Sequence, residues 1–176
     1  MGWVTLELGD VDGGGVLHER ALRIHERSLG PDHPITAMCL NNVGHVRMLQ
    51  GRLDEAAELY GRALAIRERV HGPDHPRTAN SLSSLAMVMQ RRGELDAAAA
   101  LHEGVLAIRE RLLGPDHPHT AKALERLALL RRDQGDVDAA RALLGRAAST
   151  LERAHGREHW LTVECRRALE ELTTGR

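Results

Sequence analysis

At 176 residues the chain is long enough for one sizeable domain, and 42% apolar content allows a continuous core. Aromatics are only 2%, with no Phe, so Ala, Leu, Val, Ile and Met must fill that core, which favours close-packed helices over a β-sandwich. A net charge of −1 gives no basic field for nucleic acid, no apolar run approaches a membrane span, and Met1-Gly2-Trp3 opens no signal-peptide pattern. The expectation is a cytoplasmic chain that binds neither nucleic acid nor membrane. Cys39 and Cys165 lie far apart at equivalent places in the pattern described next, so a disulfide is not expected and a reducing compartment is the default.

The chain is punctuated by Gly30-Pro31-Asp32-His33-Pro34, which returns as Gly72-Pro73-Asp74-His75-Pro76 and Gly114-Pro115-Asp116-His117-Pro118. A worn copy stands at Gly156-Arg157-Glu158-His159-Trp160. Successive copies are 42 residues apart, and a fixed period of this size is the sign of a stacked array.

Taken in order, Gly9 aligns with Gly51, Gly93 and Gly135, so Val4, Leu6 and Leu8 read as the tail of a first helix. Asp12 opens the next helix, but Gly13-Gly14-Gly15 occupy its first turn. Each Gly costs up to about 1 kcal/mol relative to Ala there. This helix is expected to be regular only from about Val16 to Leu29. In the first full period Pro34 suits a first helical position, and His33 before it is pushed to the N-cap. A helix runs from there to Gln50, and Gly51 ends it. Asp54 starts the following helix with Glu55 in its first turn, and Ala56, Leu59, Tyr60, Ala63, Leu64 and Val70 form its apolar stripe.

The second period repeats this with helices at about 76–92 and 96–113, and the third at about 118–134 and 138–155. A last helix, about 160–173, carries a polar outer face with Glu164, Arg166, Arg167, Glu170 and Glu171, as a terminal helix of an array does. The expected architecture is all-α, an α-solenoid of antiparallel helix pairs with about eight helices. It forms one array over 1–176: a partial repeat 1–30, repeats 31–72, 73–114 and 115–156, and a capping segment 157–176. The opposite end has no such cover. This suggests either an array continuing upstream or an end used for association between copies.

The segments Leu40-Asn41-Asn42-Val43-Gly44, Gly51-Arg52-Leu53-Asp54-Glu55-Ala56 and Tyr60-Gly61-Arg62-Ala63-Leu64-Ala65-Ile66, with the Gly-Pro-Asp-His-Pro marker, resemble the tetratricopeptide repeat family. The form is the 42-residue repeat of kinesin light chains and many bacterial proteins. The family's small positions are Gly44, Ala56 and Ala63, then Ala86, Ala98 and Val105, then Ala128, Ala140 and Ala147. The resemblance implies a right-handed superhelix whose first helices line a concave, peptide-binding groove. Its groove positions fall on Met38, Asn41, Asn42, His45, Met48 and Leu49. They continue on Asn80, Ser83, Ser84, Met87 and Arg91, and on Lys122, Glu125, Arg126, Leu129 and Asp133. Asn41 and Asn42 could hydrogen-bond an extended backbone, and Met suits a groove that adapts to varied apolar side chains. The plainer alternative makes the Asn residues solvated and the Met residues inter-helix packing.

The family's carboxylate clamp maps to Asn41, His45, Ser84, Lys122 and Arg126, of which only the last two fit. Lys122 and Arg126, at i and i+4, can reach one anion.

Eleven histidines raise the question of metal. Gly and Pro break the helix between His71 and His75, marker histidines lie one repeat apart, and there is no HExxH or CxxC. No Gly-rich phosphate loop is present either, and Glu26, Glu68, Glu110 and Glu152 share one structural register. A histidine-based metal protein or enzyme is therefore the disfavoured alternative; no cofactor and no catalysis are expected. The favoured function is a protein-interaction scaffold that binds a peptide or partner protein, as part of a larger regulatory protein. Self-assembly through the uncovered end is its rival.

Overall fold

The computed structural model describes residues 11–174. Val4, Leu6, Leu8 and Gly9 lie outside the described residues. Among those described there are eight helices and no strand. They are α1 (Val11–Leu29), α2 (Pro34–Leu49), α3 (Leu53–His71), α4 (Pro76–Arg91), α5 (Leu95–Leu113), α6 (Pro118–Asp133), α7 (Val137–His155) and α8 (Trp160–Thr174). The chain divides into two compact units, Met1–Gly93 and Glu94–Arg176. In the first, α1 packs on α2, α2 on α3 and α3 on α4; in the second, α5 packs on α6, α6 on α7 and α7 on α8.

The punctuation of the sequence does its work locally. Each marker glycine holds a positive φ, from 86° at Gly72 and Gly114 to 94° at Gly30, where a side chain would be strained. Each marker histidine then caps the helix that follows. The Nδ1 of His33, His75, His117 and His159 accepts from the backbone N–H two residues on, at 3.1–3.3 Å. An accepting Nδ1 requires the neutral ring with its proton on Nε2. A threonine missed in reading the marker locks the turn: Thr36, Thr78 and Thr120 each donate Oγ1–H to the carbonyl of their own marker glycine at 2.8 Å. In the worn fourth copy Thr162 Oγ1 is buried without a partner. The second-type helices start one residue earlier than expected, at Leu53, Leu95 and Val137, and Asp136 caps α7 by accepting from the Ala139 N–H at 3.0 Å.

Helix α1 corrects the expectation built on Gly13-Gly14-Gly15. It is helical from Val11, not from about Val16. Gly14 and Gly15 are buried, and a Cβ on Gly15 would sit 3.0 Å from Val46 Cγ1. The glycines lose helix propensity but allow α1 to approach α2 closely, and packing outweighs propensity.

The same logic operates at Gly44, where a Cβ would meet the Tyr60 ring at 3.1 Å. Tyr60 is 2% exposed and cannot retreat into solvent. In the second unit Ala128 occupies the equivalent position, and the register of Tyr60 holds Leu144. Gly44→Ala is therefore expected to destabilise the first unit by about 1–2 kcal/mol despite its better helix propensity. Adding Tyr60→Leu should recover part of that loss relative to Tyr60→Leu alone. Urea unfolding of the four-member cycle measures the coupling.

Two apolar clusters hold the first unit. One joins Ala37 and Leu40 of α2 to Ala63 and Ile66 of α3. The other joins Met48, Ala56, Tyr60 and Val88, with Leu53, Leu85 and Met87 packed against it. In the second unit Leu124, Leu127 and Leu130 of α6 and Leu144 and Leu151 of α7 are buried, with Cys165 of α8. Cys39 and Cys165 are free thiols. Burial pushes the Cys165 thiol up to about 12, with Glu125 adding to it, so it stays protonated.

The glutamate register is partly paired with arginines. Glu26 takes Arg62 at 3.0 Å, Glu110 takes Arg146 at 2.7 Å, and Glu152 takes Arg157 at 2.7 Å. Among the described residues Glu68 forms no ion pair.

Candidate functional site

On the first unit, the expected groove residues fall on α2 and α4. Met38 is half exposed, Leu49 and Asn80 are exposed, and Asn41, Asn42, His45, Ser83, Ser84 and Met87 are half-buried. Met48 is the exception. It is 3% exposed inside the Tyr60 cluster, so it is a core residue and presents nothing to a partner. Met87 also leans on that cluster while keeping part of its surface. Arg91 donates to the Met48 carbonyl at 3.1 Å, which ties α4 to the end of α2.

Polar groups on this face are already ordered. Arg67, buried in α3, donates to Ser81 Oγ at 2.7 Å and to the Arg77 carbonyl at 3.0 Å. Ser81 in turn donates to Asn41 Oδ1 at 3.4 Å. Burial, then the Arg77 charge, lowers the Arg67 pKa. Asn41 is thus oriented from beneath, with its carbonyl engaged. The Ser84 hydroxyl donates to the Asn80 carbonyl at 3.1 Å. Burial first and Arg91 second lower the His45 pKa, favouring the neutral ring. Sequence reasoning missed the Arg67–Ser81 support because it belongs to one period only: at the register of Ser81 stand Cys39 and Ala123.

On the second unit, Lys122 and Asp133 are exposed and Glu125, Arg126 and Leu129 are half-buried on α6. Lys122 and Glu125 line a cleft of 280 Å³ with Pro118, His119, Leu151, His155 and Leu161. Its floor is apolar and its rim is charged. Burial, then Arg109, His117 and Lys122, lowers the His119 pKa. Below the surface, His102 of α5 is 2% exposed with Nδ1 unpartnered. Its pKa is lowered to about 4, first by burial and then by Arg126 and Arg109. The residues at clamp positions divide between the units: Asn41, His45 and Ser84 in the first, Lys122 and Arg126 in the second.

His71 and His75 stack with ring centroids 4.4 Å apart, and His155 and His159 at 4.5 Å, so each pair presents faces to each other. No group of three or more His, Cys, Asp or Glu among the described residues comes together as a metal site. No helix among the described residues is long and apolar enough to cross a membrane.

These helix pairs, with glycine and small residues at their crossings, match a known family. A tetratricopeptide repeat model matches residues 39–103 and 80–153, and a second tetratricopeptide repeat model matches residues 1–35. The chain belongs to the tetratricopeptide repeat family.

Solved tetratricopeptide-like structures agree. A putative kinesin light chain from Podosopora anserina with nearly identical TPR-like repeats superposes with a TM-score of 0.86 at 24% identity, over 98% of this chain and 82% of that one. A variant of the same protein gives a TM-score of 0.87 at the same identity and coverage. BtubC (BKLC) from P. vanneervenii gives 0.74 at 19% identity, over 99% of this chain and 77% of that one. No curated protein matches the chain. The expected all-α solenoid class is the class of these neighbours, and tetratricopeptide repeats support a protein-interaction scaffold in general terms.

Proposed function

We propose that this tetratricopeptide repeat protein binds an extended peptide or partner segment on the faces of its first-type helices. The observation that carries the reading is the α6–α7–α8 cleft. It combines an apolar floor of Leu151 and Leu161 with the exposed ammonium of Lys122 at its rim. A pocket of this kind takes one apolar side chain and holds a neighbouring carboxylate. On the first unit, Met38 and Met87 offer adaptable apolar contacts, and Asn42, Asn80 and Ser83 offer hydrogen bonds to a backbone. Lys122, Arg126 and Leu129 complete the equivalent face of the second unit.

The test begins with peptides selected by display on the whole chain. Their affinity is then measured by fluorescence anisotropy against Lys122→Glu and Met38→Glu, both at exposed positions. Lys122→Glu is expected to weaken acidic peptides at least roughly ten-fold, about 1.4 kcal/mol, with a loss that shrinks at high salt. Peptides that bind wild type and both variants equally would overturn the reading.

A further inference from the structure

Each repeat sets one residue of its second-type helix against the first turn of the helix that follows, and the third repeat breaks the pattern there. In the first two repeats that residue is an arginine. Arg67 of α3 donates to the Arg77 carbonyl at 3.0 Å, and Arg109 of α5 donates to the His119 carbonyl at 2.9 Å. At the same register in the third repeat stands Leu151 of α7, with Leu161 in the first turn of α8. A leucine side chain has no donor, so the Leu161 carbonyl does not receive the bond that its two counterparts receive. The first and third sites compare like with like: α2, α3 and α4 surround Arg67 as α6, α7 and α8 surround Leu151.

The 280 Å³ cleft opens where the arginine is missing, over the apolar floor of Leu151 and Leu161. Its acid is Glu125, half-buried on α6, and among the described residues Glu125 forms no ion pair. Glu125 stands two periods after Asn41, the far end of the chain of hydrogen bonds from Arg67 through Ser81. Cys165 stands two periods after Ser81, and the Glu125 charge adds to burial in raising its pKa, so the carboxylate lies close to that register too. Lys122 is exposed at the rim, where water screens it. His119 on the wall has its pKa lowered, first by burial, so its ring is neutral near neutral pH.

We propose that the cleft takes the arginine side chain of a partner segment, in the place that Arg67 and Arg109 fill from within the chain. The inference rests on the peptide-binding reading above and names the residue that enters. The methylene stem of the arginine lies on Leu151 and Leu161 and makes the apolar contact. Its guanidinium reaches the Glu125 carboxylate and the Leu161 carbonyl together. A planar fork with several N–H donors serves both acceptors at once, which the point charge of a lysine does less well. An acidic residue beside the arginine then meets Lys122.

Peptides selected by display on the whole chain read the preference. They should carry an arginine at one fixed position. Replacing it with norleucine or lysine should weaken binding several-fold or more in fluorescence anisotropy. Glu125→Gln should weaken the arginine peptide and leave its norleucine counterpart unchanged. Leu151→Arg supplies the missing side chain from within and should erase the preference for arginine. Circular dichroism checks that this variant is folded, and Glu125→Gln, at a half-buried position, decides alone if it is not. Selected peptides with no arginine preference would overturn the proposal, as would a Glu125→Gln chain that loses equal affinity for both peptides. Peptides weakened by Lys122→Glu yet indifferent to arginine would remove the arginine and leave the peptide reading standing. Peptides indifferent to both would remove the two together.

Discussion

Met48→Glu is expected to unfold the first unit, while Met38→Glu, ten residues earlier on the same helix, changes its stability little. Met48 is 3% exposed and packs with Ala56, Tyr60 and Val88, so a glutamate there would strand a carboxylate among apolar groups from two neighbouring helices. Loss of the methionine contacts alone is worth roughly 2–5 kcal/mol. Burying the carboxylate, or protonating it to avoid that, adds further cost. Against a domain stability of about 5–15 kcal/mol, the sum removes most of the folded population. Met38 is 49% exposed, and a charge there stays in water. Circular dichroism during urea titration separates the two cases. Equal midpoints for wild type and Met48→Glu would show that this side chain is not in the core.

Acid is expected to weaken the second unit through His102, by on the order of 3 kcal/mol between pH 6.5 and pH 4. In the folded chain its pKa is lowered to about 4 by burial, with Arg126 and Arg109 adding to the effect, while the unfolded value is near 6.5. Above pH 6.5 the ring is neutral in both states and contributes no pH dependence. Between the two values the unfolded chain takes up a proton that the folded chain refuses, so unfolding becomes easier as pH falls. Below about 4 both states are protonated and the loss saturates. Carboxylates titrate in the same range, so the comparison with His102→Leu isolates the effect. Leucine already serves at this register as Leu144, which is 0% exposed. The variant should lose much less stability than wild type between pH 7 and pH 4.5. Parallel stability–pH curves would refute the assignment.

What the sequence made legible was whatever the period repeats. Proline and histidine in the first three markers predicted the start of α2, α4 and α6, and His159 alone stands before α8, because the missing N–H and the capping nitrogen act within two residues. Features that depend on a helix two turns away were harder to read. The glycine run of α1 looked like a weak helix start, and only the closeness of Val46 shows why it is tolerated. Met48 and Leu49 are neighbours at the edge of the expected face, but Tyr60 covers the first and leaves the second 44% exposed. Of the expected groove residues, Met38, Asn80 and Lys122 lie at the surface, whereas Met48 is buried in the core. The support of Asn41 by Ser81 and Arg67 was invisible to any argument from repetition, since Ser81 is unique at its register.

The most direct test of binding on the first-type helices is an amide chemical-shift map of the chain titrated with a display-selected peptide. The account predicts perturbations on α2, α4 and α6, at Asn42, Ser83 and Lys122, with α3 and the outward face of α7 unchanged. Perturbations centred on Arg62, Arg69, Arg146 and Arg153, with α2, α4 and α6 silent, would contradict it.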